Sequence, residues 1–132
     1  MPNMANITVK KYDNTTDQVY TAVQASAGDR SPAIWQNLSV GTAKAHRPEL
    51  RVTARDNGPQ TARRVETSFV WPQTATGTDG RINVVDRAVG NSVHVLPKAM
   101  TETEVREYAA QYAHLLASAL IKQCVVDGFS AT

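Results

Sequence analysis

Cysteine and aromatic residues are scarce in this sequence of 132 residues. The single cysteine, Cys124, excludes an internal disulfide framework, and no cysteine cluster exists to hold zinc. Aromatic residues make up 6% of the chain, which rules out a core built mainly on large rings. Much of the apolar content is alanine and valine, so we expect thin sheets and close helix packing that gain further cover from a partner chain.

Long apolar runs and a strong net charge are also missing. No stretch approaches membrane-spanning length, and no charged start followed by an apolar run marks a secretory signal. We therefore expect a cytoplasmic chain without a membrane partner. The formal net charge of +2 is too small to indicate a polyanion partner by itself. The chain is the size of one domain and carries no evident linker, which predicts a single domain over residues 1–132.

The distribution of charged residues along the chain is more informative than the net charge. Six basic residues lie between Val40 and Pro72 against three acidic ones, whereas the stretch from Thr101 onward is mildly acidic. The basic residues are Lys44, Arg47, Arg51, Arg55, Arg63 and Arg64. A basic middle and an acidic tail suggest one element for nucleic acid and another for packing.

Alternating polar and apolar residues predict strands through most of the chain. Residues 7–10 and 19–23 alternate around the polar turn 14–17, as in a β-hairpin. The segment 34–40 is ambiguous, with Trp35 and Leu38 as its expected core anchors. Residues 81–96 have strand-like composition, which Gly90-Asn91 is expected to interrupt as a bulge or a turn before Pro97 ends the strand.

The strongest pattern is a central hairpin. Leu50, Val52 and Ala54 alternate with arginine and threonine up to the turn at 56–59, and a second strand runs from Thr61 to Trp71. One face of this hairpin is apolar, with Trp71 expected as a core anchor. The other face is polar and carries Arg51, Thr53, Arg55, Arg64, Glu66 and Ser68. The residues from Thr74 to Gly80 read as a loop.

A helix is predicted from Thr101 onward. Thr101 followed by Glu104 is a capping box, and the helix, long or broken, should end before Gly128. Its apolar residues follow the spacing of a buried stripe, namely Val105, Tyr108, Ala109, Tyr112, Leu116, Ala119 and Leu120. About six hairpin-linked strands before a helix predict an α+β fold, an antiparallel sheet of five to six strands with C-terminal helices segregated to one face.

No pattern of catalysis accompanies this fold. His46, His94 and His114 are isolated from any acid at ligand or triad spacing, and neither a nucleophile elbow nor a glycine-rich phosphate loop occurs. We expect no catalytic residue, no metal site and no cofactor. An enzyme with an unfamiliar site and a small homodimeric RNA-binding module remain as alternatives to the reading that follows.

Several of these segments together resemble the coat proteins of single-stranded RNA bacteriophages, the leviviruses. The resemblance lies in Leu50 to Gly58 with Thr61 to Val65, in the connection from Ala27 to Arg30, in the strand ending at Pro97, and in the Thr-Glu-rich helix start after it. The order of elements and the length are similar along nearly the whole chain. The resemblance implies an intertwined homodimer whose sheets join edge to edge and whose helices cross over the partner. It further implies an icosahedral shell assembled in the cytoplasm of a bacterial host.

In the family, the sheet faces the genome and binds an operator hairpin of the single-stranded RNA, which represses replicase translation and marks the genome for packaging. Carried over, the RNA-binding positions are Arg51, Thr53, Arg55, Arg64, Glu66, Ser68, Asn91 and Val93. The family's aromatic stacking residue on the third strand has no counterpart, and Val89 lies near its place. From the residues alone, a solvated sheet face on which the arginines pair with Glu49, Asp56 and Glu66 is the favoured interpretation. The resemblance reverses this and favours RNA contact.

Overall fold

The computed structural model describes residues 2–41 and 43–132, which form a six-stranded antiparallel sheet followed by two helices. The strands are β1 (Ile7–Lys10), β2 (Asp17–Gln24), β3 (Ala33–Gln36), β4 (Glu49–Asp56), β5 (Ala62–Thr76) and β6 (Ile82–Pro97). Their order in the sheet is their order in the chain, so β1 and β6 are the two edges. A short 3-10 turn, Lys44–His46, precedes β4. The α+β prediction is confirmed.

The chain comprises two compact units, one ending at Val95 and one formed by Leu96–Thr132. The second contains α1 (Glu102–Leu116) and α2 (Ala119–Asp127). The single-domain prediction for residues 1–132 stays a prediction.

The first hairpin forms where alternation predicts it. β1 pairs with β2 from Ile7↔Tyr20 to Lys10↔Asp17. Asp13 closes the turn, because its Oδ1 accepts hydrogen bonds from the backbone N–H of Thr15 and Thr16, both at 2.9 Å. Hydrogen bonds from Thr16 hold the pKa of the Asp13 carboxyl well below its usual range.

The two faces of the central sheet differ in polarity, as predicted. On the apolar face, β4 and β5 place Leu50 opposite Phe69, Val52 opposite Thr67 and Ala54 opposite Val65. Tyr20 meets Phe69 edge to face, with the ring centroids 6.0 Å apart. Burial in this cluster raises the pKa of the Tyr20 hydroxyl.

The expected core anchors of this sheet are only partly correct. Trp35 is half-buried, whereas Leu38 and Trp71 are 45% and 46% exposed. Ile34 is buried instead, and so is Asn37, at 1% exposure. Asn37 accepts hydrogen bonds at its Oδ1 from Gln18 Nε2 (2.9 Å) and Ser39 Oγ (2.7 Å), which compensates its burial. Trp71 lies on the apolar face next to Phe69, with the ring centroids 6.4 Å apart, but nearly half of its large side chain stays exposed.

Two expectations for β5 and β6 need correction. β6 continues through Gly90-Asn91 as one strand beside β5, and Gly90 has no positive φ, so a turn at this point is wrong and the bulge stays a prediction. The loop predicted from Thr74 begins later, since β5 continues to Thr76 and the Gly77 N–H bonds the Arg81 carbonyl at 2.7 Å. Threonines with their β-branched side chains extend the strand over residues that read as a loop.

The helical part is broken, and both halves are capped. Thr101 Oγ1 accepts from the Glu104 N–H at 3.4 Å, which confirms the first of the two hydrogen bonds of the predicted capping box. Ser118 separates the halves, since its Oγ donates to the Leu115 carbonyl at 2.7 Å and accepts from the Ile121 N–H. α2 ends at Gly128, whose φ of 74° is left-handed.

The apolar stripe of the helices is not buried in the single chain, and the burial by a partner chain that the sequence predicts stays a prediction. No residue of α1 or α2 is buried, and Leu116 and Leu120 are 49% and 62% exposed. Val125, Val126 and Phe129 are each more than three-quarters exposed. The spacing of the stripe is that of an amphipathic helix, but burial needs an opposing surface that one chain does not supply.

Candidate RNA-binding face

Cross-strand register places six of the eight predicted site residues on one face of the sheet. Arg51 pairs with Ser68, Thr53 with Glu66, and Arg55 with Arg64. Directly opposed residues of antiparallel strands project to the same side, so these three pairs form a ladder across β4 and β5. We call this side of the sheet the polar face.

The two remaining site residues lie on the same face of β6. Ser92 Oγ is in hydrogen-bond contact with Thr67 Oγ1, and Thr67 belongs to the apolar face. Since side chains alternate along a strand, the neighbours of Ser92, Asn91 and Val93, project to the polar face. Both are exposed, with Val93 at 50%.

These residues surround a shallow depression of about 260 Å³, here called the first depression. Seven of the eight predicted positions line it, namely Arg51, Thr53, Arg64, Glu66, Ser68, Asn91 and Val93. Arg55 is not among its lining residues and stands at the end of the ladder nearest the hairpin turn. The structure therefore adds Asn91 and Val93 of β6, which the sequence related to this face only through the resemblance, to the residues of β4 and β5.

Glu66 organises the arginines of the polar face. Its Oε1 accepts a hydrogen bond from Arg64 Nε and lies 3.4 Å from an Arg55 terminal nitrogen. The hydrogen bond from Arg64 is the main cause that lowers the pKa of the Glu66 carboxyl, with Arg55 contributing less. Arg51 Nε pairs with Glu49 at 3.2 Å. The guanidinium groups are thus held on the surface, 38% to 51% exposed, where a phosphate can reach them.

The ion pairing expected of a merely solvated face is present only in part. Glu49 and Glu66 do pair with arginines of the polar face. Asp56 instead pairs with Arg63 at 3.0 Å, and Arg63 also forms a two-pronged contact with Asp29. These carboxylates raise the pKa of the Arg63 guanidinium, and they fasten the 27–30 connection to the central hairpin.

Three basic residues of the polar face are not among the predicted site residues, although two of them, Lys44 and Arg47, belong to the basic middle of the chain. Lys44, Arg47 and Arg87 line a larger depression of about 600 Å³, the second depression, together with Arg51 and Ser68 of the first. Arg87 could have been found by counting, since it shares the alternation of Asn91 and Val93 on one strand. The charge distribution pointed to Lys44 and Arg47, but strand alternation could not place them on a face, because they precede β4 and lie in or next to the 3-10 turn.

Among residues 2–41 and 43–132, no group of three or more His, Cys, Asp and Glu side chains is arranged to hold a metal ion. His94 Nε2 lies 3.3 Å from Ser92 Oγ, on the apolar face rather than in the first depression's ladder. Over the same residues, no helix has the length and apolar character needed to span a bilayer.

Comparisons with known proteins point to one kind of fold. No protein-family model matches the sequence. No curated protein matches it either. Among solved structures, the virus-like particle of Beihai levi-like virus 21 superposes with a TM-score of 0.82 at 17% identity, covering 99% of each chain. The coat protein of bacteriophage EMS014 gives 0.80 at 10% identity, covering 99% of this chain and all of that one. The capsid protein of bacteriophage GA gives 0.76 at 13% identity, covering 95% of each.

Sequence identities this low show a shared fold, whereas the chemistry of the site has to be argued from the residues of this chain. The superposition with the first of these structures covers 99% of each chain, and in this chain that length includes the six strands and the two terminal helices. The resemblance drawn from the central hairpin is therefore confirmed at the level of structure: the chain has the fold of the coat proteins of levi-like viruses and RNA bacteriophages.

Proposed function

We propose that this protein is the structural coat protein of a single-stranded RNA phage and has no enzymatic activity. The observation that carries the proposal is the likeness of fold to virus-like particle and capsid subunits over 99% of the chain. A fold of this kind can host other functions, so the proposal also draws on the chemistry of the two sheet faces and of the helices.

The assembly unit in this proposal is an intertwined homodimer. The apolar face and the helices together leave large side chains uncovered in one chain, among them Val9, Trp71, Leu116 and Leu120. Contiguous apolar surface of this kind marks a protein interface. Laying each helix pair over the sheet of the partner covers both surfaces at once. β6 is an edge of the sheet and is free in topology to pair with the β6 of the partner. Such dimers then tile an icosahedral shell.

The polar face binds RNA in this proposal and faces the interior of the shell. Arg51, Arg55 and Arg64 neutralise phosphates or stack on unpaired bases, and Thr53 and Ser68 read base edges in an open loop. The ligand is an operator hairpin of the genome, and its binding represses translation and selects the genome for packaging. Val89 cannot stack on a base as an aromatic side chain would, so recognition rests on the arginines and hydroxyls.

The place of action follows from the assembly. Subunits gather on RNA in the cytoplasm of a bacterial host and remain in the virion. A small homodimeric RNA-binding module without a shell would use the same polar face, but it would leave the exposed residues of the C-terminal segment, Val125, Val126 and Phe129, without a role.

The first experiment is negative-stain electron microscopy of the full chain expressed alone, with the ratio of nucleic-acid to protein absorbance measured on the same fraction. Uniform round particles rich in nucleic acid are the expected result. Free dimers over a range of salt and protein concentrations would refute the shell and favour the RNA-binding module. Empty particles would refute the RNA role of the polar face and leave the coat function standing.

A further inference from the structure

The second depression is more strongly basic than the first. Its lining carries four cations, Lys44, Arg47, Arg51 and Arg87, against the single anion Glu49, a formal sum of four minus one, or +3. The first depression carries Arg51 and Arg64 against Glu66, two minus one, or +1. Three of the four cations of the more positive depression, Lys44, Arg47 and Arg87, therefore lie outside the eight positions that the resemblance singles out.

One short turn brings two of these cations into the second depression. Lys44 opens the 3-10 turn Lys44–His46, and Arg47 follows this turn in an extended conformation. The Arg47 N–H donates to the Lys44 carbonyl at 3.3 Å. Pro48, which follows, is fully buried, and its carbonyl accepts from the Asn37 N–H at 3.0 Å. The buried proline fixes the end of the turn, so the basic pair is positioned before any ligand arrives.

Arg87 completes the depression from the edge strand. Its side chain is exposed, as is that of Lys44. Within the part of the chain that the structure describes, neither side chain forms an ion pair with a carboxylate, whereas Arg51, Arg55 and Arg64 do. Binding a phosphate at Lys44 and Arg87 therefore breaks no existing pair.

The character of the lining favours phosphates over bases. The depression has no aromatic side chain on which a base could stack; its apolar lining is Ala45, Val70 and Pro72. Clustered cations without stacking platforms bind the nucleic-acid backbone irrespective of sequence. Because Arg51 and Ser68 line both depressions, a strand that leaves the first passes directly into the second.

We propose that the second depression binds the sugar-phosphate backbone of single-stranded RNA flanking the segment held in the first depression, through Lys44, Arg47 and Arg87. This inference rests on the proposed function and extends it. The first depression supplies selection, and the second supplies affinity that does not depend on sequence and holds genomic RNA along the inner surface.

The test compares variants of the full, unassembled chain binding a labelled oligouridine long enough to cross both depressions. Fluorescence anisotropy gives the association constant as a function of salt. Each phosphate contact on single-stranded RNA contributes a slope of about 0.7, and hence roughly fivefold in affinity between 1 M and 0.1 M salt. Lys44→Gln with Arg87→Gln should lower the slope by roughly 1.4 and the affinity at about 0.1 M salt by roughly 25-fold.

The matched control is Lys11→Gln with Arg81→Gln, which removes the same charge from two exposed turn residues that line neither depression. An equal loss of affinity in the control and the test variant would overturn the inference, because it would reduce the effect to net charge. If the salt dependence of the association constant were unchanged in the test variant while Arg64→Ala still weakened binding, the second depression would not bind RNA. The proposed function would then stand without this inference. If the wild-type chain bound no oligouridine at any salt concentration, both this inference and the proposed RNA binding would be refuted.

Discussion

Arg64 offers the sharpest test of the polar face, because it is held in place and yet contributes little to the fold. Its Nε bonds Glu66, its side chain is 38% exposed, and it lines the first depression beside Ser68 and Asn91. We expect Arg64→Ala to weaken RNA binding and to leave the dimer intact. Glu66 keeps Arg55 at 3.4 Å after the substitution, so no carboxylate is stranded.

The expected size of the effect follows from one lost phosphate contact. A slope of about 0.7 corresponds to roughly a fivefold loss of affinity at about 0.1 M salt, close to 1 kcal/mol. The phosphate contact of Arg64 contributes no more affinity than this, because the phosphate must first displace Glu66 from Arg64. A surface substitution of this kind should change the free energy of unfolding by no more than about 0.5 kcal/mol.

The assay is anisotropy of a labelled RNA hairpin over a salt series, with urea unfolding and size-exclusion light scattering on the same preparations. Arg81→Ala is the control, since Arg81 is 84% exposed in the loop between β5 and β6 and lines neither depression. Equal weakening by the two variants would refute a specific contact. Unfolded monomers of Arg64→Ala would show instead that the residue is structural.

Three further predictions test the fold and its assembly. Ending the chain before Thr101 removes both helices and should abolish the dimer, as measured by analytical ultracentrifugation; a persisting dimer would mean that β6 pairing alone holds it. Ile34→Ala at 8% exposure should lower the free energy of unfolding in urea by about 2–5 kcal/mol, and Ile82→Ala at 44% exposure by clearly less; equal losses would contradict the assigned core. The pKa of Glu66 is lowered in the folded chain, so its ionised carboxylate stabilises the fold fully above the pKa of the unfolded chain, and this contribution disappears as pH falls through the pKa of the folded chain. Glu66→Gln should therefore flatten that part of the curve of unfolding free energy against pH. An unaltered curve would show that the pairs with Arg64 and Arg55 contribute nothing to stability.

Local patterns in the sequence determined most of the secondary structure. Strict alternation from Glu49 to Arg55 defined β4 and both faces of the sheet, because side chains of a strand alternate whatever surrounds them. Thr101 and Gly128 marked the start and end of the helical part, since capping depends on neighbours within one turn. The six residues of the β4–β5 ladder followed from the same alternation.

Only the tertiary structure decided which residues come together across strands. The continuity of β6 through Gly90 depends on pairing with its neighbour, which no local pattern encodes, and with it the placement of Asn91 and Val93 beside Glu66. The convergence of Lys44, Arg47 and Arg87 joins the segment before β4 to an edge strand much later in the sequence, and local patterns carry no information about contacts between segments so far apart. Burial likewise depends on an opposing surface. The apolar stripe of the helices has the spacing of an amphipathic helix, yet it is exposed in the single chain. Periodicity thus predicts which side of a helix is apolar, but it does not predict which surface buries that side.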